Sequence, residues 1–316
     1  MAYRKVLVIG GTGFIGSHVI AKLADADCRV TAPTRREGRA AHLLLLPDVE
    51  QVTEANVHDD ATLDRLMRGQ DAVINLVGIL HGKPGPAGSR YGGDFARAHV
   101  ELPQRIVDAC VRNGVRRSVH MSALGVSQDA PSMYLRSKAD GEAAATSAPE
   151  VAATIFRPSV VFGDKDRFLN MFASLQRMLP VMMLAGADAR FQPVYVEDVA
   201  RAFVKALQDN RSIGKVYELA GPKVYTLREL VRLAGEYSGH RRPVIGMPDA
   251  FARMQAFILE HLPGGPLMSR DNLDSMKVDS VRKSPLADEL GIDWTPVEAI
   301  APRYLGRRTH HGTAPA

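Results

Sequence analysis

A tyrosine and a lysine four residues apart are the side chains of this sequence with the spacing needed for proton transfer. Tyr134 and Lys138 lie in a segment with helical patterning, where residues spaced by four share one face. An ammonium group beside a phenol favours the phenolate and lowers the tyrosine pKa. Such a tyrosine exchanges a proton with a carbonyl or hydroxyl oxygen while a hydride moves. A pair with this spacing also arises by chance, so its place in the fold matters.

A serine at the end of an apolar stretch supplies a third polar group. The residues 116–121 predict a strand, and Ser122 follows it directly. In a parallel sheet the carboxyl ends of the strands face the ligand, where the Ser122 hydroxyl would hydrogen-bond the reacting oxygen. The alternative is a serine that only begins a turn. We predict Ser122, Tyr134 and Lys138 as the catalytic residues.

The chain begins with a strand that leads into a glycine-rich turn. The apolar run 6–9 precedes glycines at 10, 13 and 16, and an amphipathic helix is predicted over 14–25. The glycines allow a tight turn and a close approach to phosphate oxygens, and the helix N-terminus attracts negative charge. A glycine-rich turn without a ligand is the alternative. The predicted dinucleotide contacts in this turn are Gly10, Thr12, Gly13, Phe14, Ile15 and Gly16.

The second strand, predicted over 28–32, ends without the acid that is typical of NAD sites. Such an acid lies about 20 residues beyond the turn and binds the ribose hydroxyls. Here Arg35 and Arg36 follow Thr34. Two guanidinium groups suit a 2′-phosphate through charge-assisted hydrogen bonds. We therefore predict NADP(H) in preference to NAD(H), with two surface arginines at the start of the next helix as the alternative.

Strand-like and helix-like segments alternate through the first half of the chain. Apolar strands separated by helices predict a doubly wound parallel sheet, the α/β Rossmann fold. The other predicted strands are 49–53, 72–77, 116–121 and 153–156, and the predicted helices are 36–45, 60–68, 95–113 and 134–147. Later, 190–196 and 216–220 predict strands, and 197–208 and 226–235 predict helices, the last with Thr226 and Glu229 in capping-box positions.

Two parts of unequal size are expected. A Rossmann domain over 1–160 is completed by elements from 193–220. A smaller substrate-binding part takes 161–192 and 221–305, and 306–316 is predicted to be a disordered tail. The glycine- and proline-rich stretch 82–94 follows the fourth strand on the ligand side, and it predicts either a lid or a tolerated surface insertion.

The segment 166–185 is rich in large, flexible apolar side chains. They predict either an adaptable apolar wall of the substrate site or ordinary core packing. Contact with a membrane or a partner subunit is a third alternative, and it applies to 250–262 as well. The residues are Met171, Phe172, Met178, Met182, Met183 and Leu184. Few basic groups here could bind the diphosphate of a nucleotide sugar. An apolar carbonyl, a quinone-like or a lipid-like small molecule is therefore favoured as substrate.

The composition excludes several classes of protein. The 316 residues carry a formal charge of +5, but the cations are mixed with acids, so we expect no nucleic-acid partner. No apolar run is long enough to span a membrane. Cys28 and Cys110 predict core thiols in a reducing compartment, and no residue cluster has metal-ligand spacing. The first strand leaves no room for a signal peptide, so a cytoplasmic protein is expected, with peripheral contact at the inner membrane left open.

These residues together resemble the short-chain dehydrogenase/reductase superfamily, in its extended or atypical branch of epimerase- and dehydratase-like proteins. The resemblance implies Tyr134 as the acid/base, Lys138 as the residue that tunes it and binds the nicotinamide ribose, and Ser122 as the group that orients the substrate oxygen. The stretches that carry it are 10–16, 75–78, 122–138, 157–163 and 193–200. The predicted cofactor set also contains Asn56, Val57, Leu76, Val77, Gly78, Tyr134, Lys138, Pro158, Val160 and Val161.

A narrower set of stretches is similar to the NADPH-binding accessory subunit of respiratory complex I and its bacterial relatives. These stretches are 99–103, 121–125, 134–138 and 166–170. The resemblance implies three functions: an NADP(H)-dependent oxidoreductase, a non-turnover NADPH-binding subunit or assembly factor, or a ubiquinone-biosynthesis protein. A redox-sensing regulator is a further alternative. Many extended members carry Asn near position 99, where this chain has His99. His99 has three interpretations: it takes over the role of that Asn, it indicates that the usual reaction of the family is lost, or it forms a hydrogen bond with a structural partner.

Overall fold

A seven-stranded parallel sheet forms the centre of the protein. The structure, a computed structural model, describes residues 3–36, 38, 40, 43, 49–260 and 268–306. The sheet strands are β1 (Lys5–Ile9), β2 (Arg29–Thr34), β3 (Val49–Glu54), β4 (Ala72–Asn75), β5 (Arg117–Met121), β6 (Ala152–Pro158) and β11 (Val216–Leu219). Their order is β3-β2-β1-β4-β5-β6-β11. The order reverses between β1 and β4, the position at which doubly wound sheets bind ligands.

Helices cover both faces of this sheet. One face carries α1 (Phe14–Ala24) and α7 (Val196–Gln208), and the other carries α2 (Asp60–Met67), α4 (Leu102–Asn113) and α5 (Met133–Ala145). A short helix α3 (Gly93–Phe95) and a π-helical segment (Ala96–Glu101) lead directly into α4. In β1, Val6 and Val8 face one core while Leu7 and Ile9 face the other. Burial on both faces explains why the strand is an unbroken apolar run.

The C-terminal elements have a third hydrophobic core, built largely from α6, α8 and α11. The helices are α6 (Phe168–Met178), α8 (Leu227–Tyr237), α9 (Asp249–Glu260), α10 (Arg270–Ser275) and α11 (Val297–Leu305). The short strands are β7 (Val161–Phe162), β8 (Met182–Leu184), β9 (Arg190–Phe191), β10 (Val194–Tyr195), β12 (Tyr225–Thr226) and β13 (Val244–Gly246). None of the helices in the described residues is long and apolar enough to cross a bilayer.

Most of the predicted elements are confirmed. The six strands predicted between 6 and 156 occur with ends that shift by at most two residues, and Thr226 and Glu229 form the predicted capping box. The predicted strand 190–196 is wrong, because it is split into β9 and β10 around Gln192 and Pro193. Proline has no N–H to donate to a ladder, and α7 begins at Val196.

Four other predictions concern a helix, the C-terminal tail, the division into two parts and the cysteines. The predicted helix 36–45 lies mostly outside the described residues, as does the predicted tail 306–316 apart from Gly306. The strand β11 joins the central sheet beside β6, but the proposed division into two parts stays a prediction. Both cysteines are buried, each in one of the cores beside the sheet.

Candidate functional site

The glycine turn between β1 and α1 is shaped by close backbone packing. Gly10 has a φ of +84°, and a Cβ there would lie 3.1 Å from the Leu76 carbonyl carbon and the Val77 nitrogen. A Cβ at Gly16 would lie 2.6 Å from the Gly11 Cα. Helix α1 follows Gly13 with no side-chain cap and no acid in its first turn. Its first N–H groups and positive end therefore suit a phosphate.

The residues after β4 connect this turn to Lys138. Leu76 and Val77 pack against Gly10, and a Cβ at Gly78 would lie only 3.2 Å from the Lys138 Nζ. The Val77 N–H donates to Asn75 Oδ1 at 3.1 Å, which fixes the bend at the end of the strand. The structure thus brings three predicted cofactor segments side by side, and a larger side chain at position 78 would fill the space between them.

Lys138 also links α5 to the end of β5. Its Nζ donates to the Met121 carbonyl at 3.0 Å, immediately before Ser122. Ser122 is only 3% exposed, and its Oγ has no hydrogen-bond partner within the described part of the chain. Such an orphaned hydroxyl is suited to bind an oxygen of a ligand. Among the described residues, no group of three or more His, Cys, Asp or Glu could hold a metal ion.

Burial sets the protonation of the predicted catalytic pair. It raises the pKa of Tyr134 to about 12. It also lowers the pKa of Lys138 to about 8, with Glu142 acting in the opposite direction. The prediction that Lys138 lowers the tyrosine pKa is wrong for this state, because desolvation of the phenol dominates and the ammonium group binds the Met121 carbonyl. Tyr134 is therefore a neutral phenol near pH 7, the form that donates a proton.

His99 lies between the loop after β4 and helix α5. Its Nε2 accepts from the Ile79 N–H at 3.0 Å, and its Nδ1 lies 2.8 Å from Ser137 Oγ. The imidazole ring is 5.6 Å from the Tyr134 ring, centroid to centroid. Both ring nitrogens form hydrogen bonds within the protein, so these contacts fit the interpretation in which His99 has structural partners.

Exposed cations lie at the tip of β2 and near His58, which follows β3. Arg35 and Arg36 are exposed at the tip of β2, and the Arg36 N–H donates to Thr34 Oγ1 at 3.3 Å. His58 has a pKa lowered first by burial and then by nearby cations that include Arg97 and Arg35. In the described ranges, no acid forms an ion pair with any of these three arginines. Sequence reasoning missed Arg97 because it comes from a helix about 60 positions after β2, with no local signal.

The remaining predicted cofactor residues lie at other strand ends. The Asn56 Oδ1 accepts from the His58 N–H at 3.1 Å, beside the partly buried Val57. At the end of β6, the Pro158 carbonyl accepts from the Leu124 N–H at 3.0 Å, and the Val160 carbonyl accepts from the Val194 N–H at 3.0 Å. Val161 begins β7. Their contact with a cofactor stays a prediction.

Asp271 caps the helix that carries Tyr134, and sequence reasoning missed it. Its carboxylate accepts from the Met133 N–H at 2.6 Å and the Tyr134 N–H at 3.0 Å, while Ser132 Oγ accepts from the Leu135 N–H. The neighbouring Asn272 donates to the Leu80 carbonyl at 3.4 Å. Helix α10 is therefore attached to both the loop after β4 and the start of α5. No short-range pattern predicts a cap from so distant a residue.

Asp271→Ala is expected to lower the free energy of unfolding by about 1–2 kcal/mol, because two N–H groups of α5 lose their acceptor. Urea denaturation measures this loss, and faster hydrogen exchange at Met133 and Tyr134 would locate it. Asp274→Ala is the matched control, since Asp274 forms surface ion pairs on the same helix. Unchanged exchange at the two amides would contradict this assignment.

The predicted apolar wall of 166–185 does not form one surface. Phe172, Met182 and Leu184 are buried in the C-terminal core, whereas Met178 is 80% exposed and Met183 is also exposed. The side chains of β8 alternate between core and solvent, as in any half-buried strand. Core packing, one of the predicted alternatives, thus accounts for the buried members, and a substrate wall built from all six side chains is wrong.

The C-terminal part of the stretch 82–94 is hydrogen-bonded to α5. The Tyr91 hydroxyl donates to Asp140 Oδ2 at 2.8 Å, and the Arg136 guanidinium donates to the Arg90 carbonyl at 2.7 Å. Residues 83–90 are mostly exposed. The Lys83 N–H also donates to Asp94 Oδ2 at 3.1 Å, and the role of the stretch as a lid stays a prediction.

Comparison with known proteins places this geometry in a family. Residues 6–220 match the model of the NAD dependent epimerase/dehydratase family. The chain is 33% identical over 290 residues to the mitochondrial NADH dehydrogenase [ubiquinone] 1 alpha subcomplex subunit 9 of Arabidopsis thaliana, covering 87% of this chain and 70% of that protein. It is 28% identical to the ceramide reductase of Caulobacter vibrioides, covering 77% and 74%.

The solved structures agree with the fold. The UDP-glucuronic acid 4-epimerase of Bacillus cereus, in complex with UDP-glucuronic acid and NAD, superposes with a TM-score of 0.66 at 19% identity, covering 95% of this chain and 98% of that one. This likeness shows a shared Rossmann-type α/β architecture. With the family match over most of the parallel sheet, the conclusion is direct: the chain belongs to the NAD-dependent epimerase/dehydratase family.

Proposed function

We propose that this protein is an NADP(H)-dependent oxidoreductase that acts on the carbonyl group of an apolar, quinone-like or lipid-like substrate. One observation carries the proposal. The glycine turn, Gly78, Lys138 and the orphaned Ser122 hydroxyl meet at the carboxyl ends of β1, β4 and β5. A dinucleotide lying across this edge would bring its nicotinamide towards the Ser122 and Tyr134 side.

Each of the three polar residues has a distinct role in the proposed reduction. NADPH, when bound, supplies the hydride. Tyr134 donates its phenolic proton to the substrate oxygen, and its pKa of about 12 keeps that proton in place until it is needed. The Ser122 hydroxyl donates a hydrogen bond to the same oxygen. Lys138, charged below about pH 8, would bind the nicotinamide ribose beside Gly78.

The preference for NADP(H) rests on the cations at the tip of β2 and near His58. Arg35, Arg36 and Arg97 are exposed, and none of the acids in the described residues pairs with them. A 2′-phosphate would accept charge-assisted hydrogen bonds from such groups, whereas the ribose hydroxyl of NADH offers no charge to bind.

Arg35→Ala is expected to raise the dissociation constant of NADPH by about tenfold or more, because one charge-assisted contact to the 2′-phosphate is lost. The constant for NADH should change little, and Arg97→Ala should show the same bias. Titration followed by nicotinamide fluorescence measures both constants. Equal changes for the two nucleotides would contradict the assignment.

The choice of an apolar substrate has two supports. A relative named ceramide reductase acts, by its name, on a lipid. Apolar side chains are also exposed on elements attached to the loop after β4: Leu80 is bonded by α10, and α9, which packs on α10, exposes Phe251, Met254 and Phe257. Long-chain ketones, quinones and UDP-sugars, each offered with NADPH, form the test panel. Oxidation of NADPH with ketones or quinones is the expected result, and turnover of UDP-sugars alone would reject this substrate class.

A non-turnover NADPH-binding subunit or assembly factor of a membrane respiratory complex is the second candidate function. The relatives named as complex I subunits span most of the chain, and the exposed apolar face of α9 could meet a partner or membrane surface. Tight NADPH binding without oxidation, together with co-purification with respiratory-complex subunits, would favour this function. A role in ubiquinone biosynthesis would instead appear as turnover with quinone-like substrates.

A further inference from the structure

We propose that His99 is a positioning residue that fixes the width of the nicotinamide end of the cofactor pocket. It does so by tying the loop after β4 to the helix that carries Tyr134 and Lys138. This inference deepens the proposed function and rests on the cofactor pocket described there, but it does not depend on turnover.

The hydrogen bonds of His99 define one tautomer. Its Nε2 accepts from the Ile79 N–H at 3.0 Å and is therefore unprotonated. The proton must then be on Nδ1, which donates to Ser137 Oγ at 2.8 Å. Ser137 in turn donates to the Tyr134 carbonyl at 2.8 Å. Donors and acceptors follow one another in a single direction from the loop after β4 to the first turn of α5.

These contacts reach both walls of the pocket. Ile79 directly follows Gly78, which packs against the Lys138 ammonium group. Ser137 lies between Tyr134 and Lys138 on α5, and the imidazole ring also packs edge-to-face on the Tyr134 ring at 5.6 Å. If the imidazole were lost, the Ile79 N–H and the Ser137 hydroxyl would each lose a buried partner. The loop would then be free to shift relative to α5.

The backbone around His99 packs closely against α5. His99 lies in the π-helical segment and is only 1% exposed. A Cβ at Gly141 of α5 would overlap the His99 carbonyl oxygen, so the two helices meet there without an intervening side chain. A π-helical turn inserts an extra residue into a helix and commonly marks a functional position. Here it directs residue 99 into the gap between the loop and α5.

His99 is unsuited to act as an acid or base itself. Burial lowers its pKa to about 2, and the charge on Lys138 acts in the same direction. The imidazole is therefore neutral near pH 7. Because both ring nitrogens are hydrogen-bonded in one tautomer, the imidazole holds its neighbours in position and does not transfer a proton.

Three substitutions separate the two hydrogen bonds from simple packing. His99→Phe keeps a ring but removes both bonds. In His99→Gln the longer side-chain amide would reach the former Nε2 position and accept from Ile79, whereas in His99→Asn the shorter amide would reach the former Nδ1 position and donate to Ser137. The variant proteins are compared at full length, with thermal unfolding recorded for each.

The measurement is the dissociation constant of NADPH beside that of 2′,5′-ADP, which has the adenosine end but no nicotinamide. His99→Phe should weaken NADPH about tenfold and leave 2′,5′-ADP unchanged, because only the nicotinamide end is altered. His99→Gln should recover NADPH affinity better than His99→Asn, since it restores the anchor of the loop. If His99→Phe does not fold, this difference between the Gln and Asn variants remains the test.

Two results would overturn the assignment to His99. One is an equal loss of affinity for both ligands in every variant, which indicates general destabilisation. The other is unchanged NADPH affinity in His99→Phe. Failure of the unaltered protein to bind NADPH would reject the pocket and the proposed function together. Tight binding with the predicted bias but no turnover would support the role of His99 and reject only the enzymatic activity.

Discussion

Tyr134→Phe is expected to lower the rate of NADPH-dependent carbonyl reduction by about 10²–10⁴-fold, the range for loss of a general acid. Phenylalanine keeps the ring that packs against His99 and Phe95, so the pocket retains its shape. NADPH affinity should therefore change little. Steady-state rates with the best substrate of the panel, and nucleotide titration of the same preparation, measure the two effects.

Tyr91→Phe is the matched control for this substitution. The Tyr91 hydroxyl bonds Asp140 on the outer part of α5, so its loss should leave the rate nearly unchanged. The unaltered enzyme should also lose activity as the pH rises above about 8, because Lys138 then loses the charge with which it would bind the nicotinamide ribose. A Tyr134→Phe variant with full activity would assign the proton donor to another group.

Arg117→Met is expected to lower the free energy of unfolding by roughly 3–5 kcal/mol, the largest stability effect we predict. Arg117 is 0% exposed and begins β5. Its guanidinium donates to neutral oxygen atoms at 2.7–3.0 Å, and none of the carboxylates in the described residues accepts from it. The acceptors are the carbonyl oxygens of Ser118, Ala152 and Ala206 and the hydroxyl oxygens of Thr154 and Ser212.

The cost arises from the acceptors that methionine leaves behind. Methionine fills much of the same volume, but it donates no hydrogen bond to oxygens that water cannot reach. Arg116→Met, at the exposed neighbouring position, should change stability by less than about 0.5 kcal/mol. Urea denaturation of both variants measures the difference. Equal midpoints would show that the buried guanidinium contributes nothing to folding.

Local patterns were sufficient for the sheet and the nucleotide turn. The apolar run of β1 is buried on both faces, Gly10 has a φ of +84°, and Gly16 is required by contacts with the backbone of Gly10 and Gly11. The capping box at Thr226 is equally local. Each of these features depends on residues within a few positions of one another, so a single sequence contains the signal.

The features that could not be predicted from the sequence depend on contacts between residues far apart in the chain. Asp271 accepts from the Tyr134 N–H across 137 positions, and Arg97 comes near His58, which Arg35 also approaches, only in the assembled fold. The pKa of Tyr134 was predicted in the wrong direction because burial in the assembled fold outweighs the neighbouring charge. Apolar periodicity likewise could not distinguish the buried Met182 from the exposed Met178.

The cap that Asp271 places on α5 also affects the order in which parts of the protein complete their folding. Synthesis runs from the N-terminus, so the glycine turn and α5 leave the ribosome well before α10. Until α10 follows, two N–H groups at the start of α5 lack their carboxylate acceptor. A nascent chain can therefore acquire its nucleotide turn early, while the helix of the proposed proton donor is completed among the last steps of maturation.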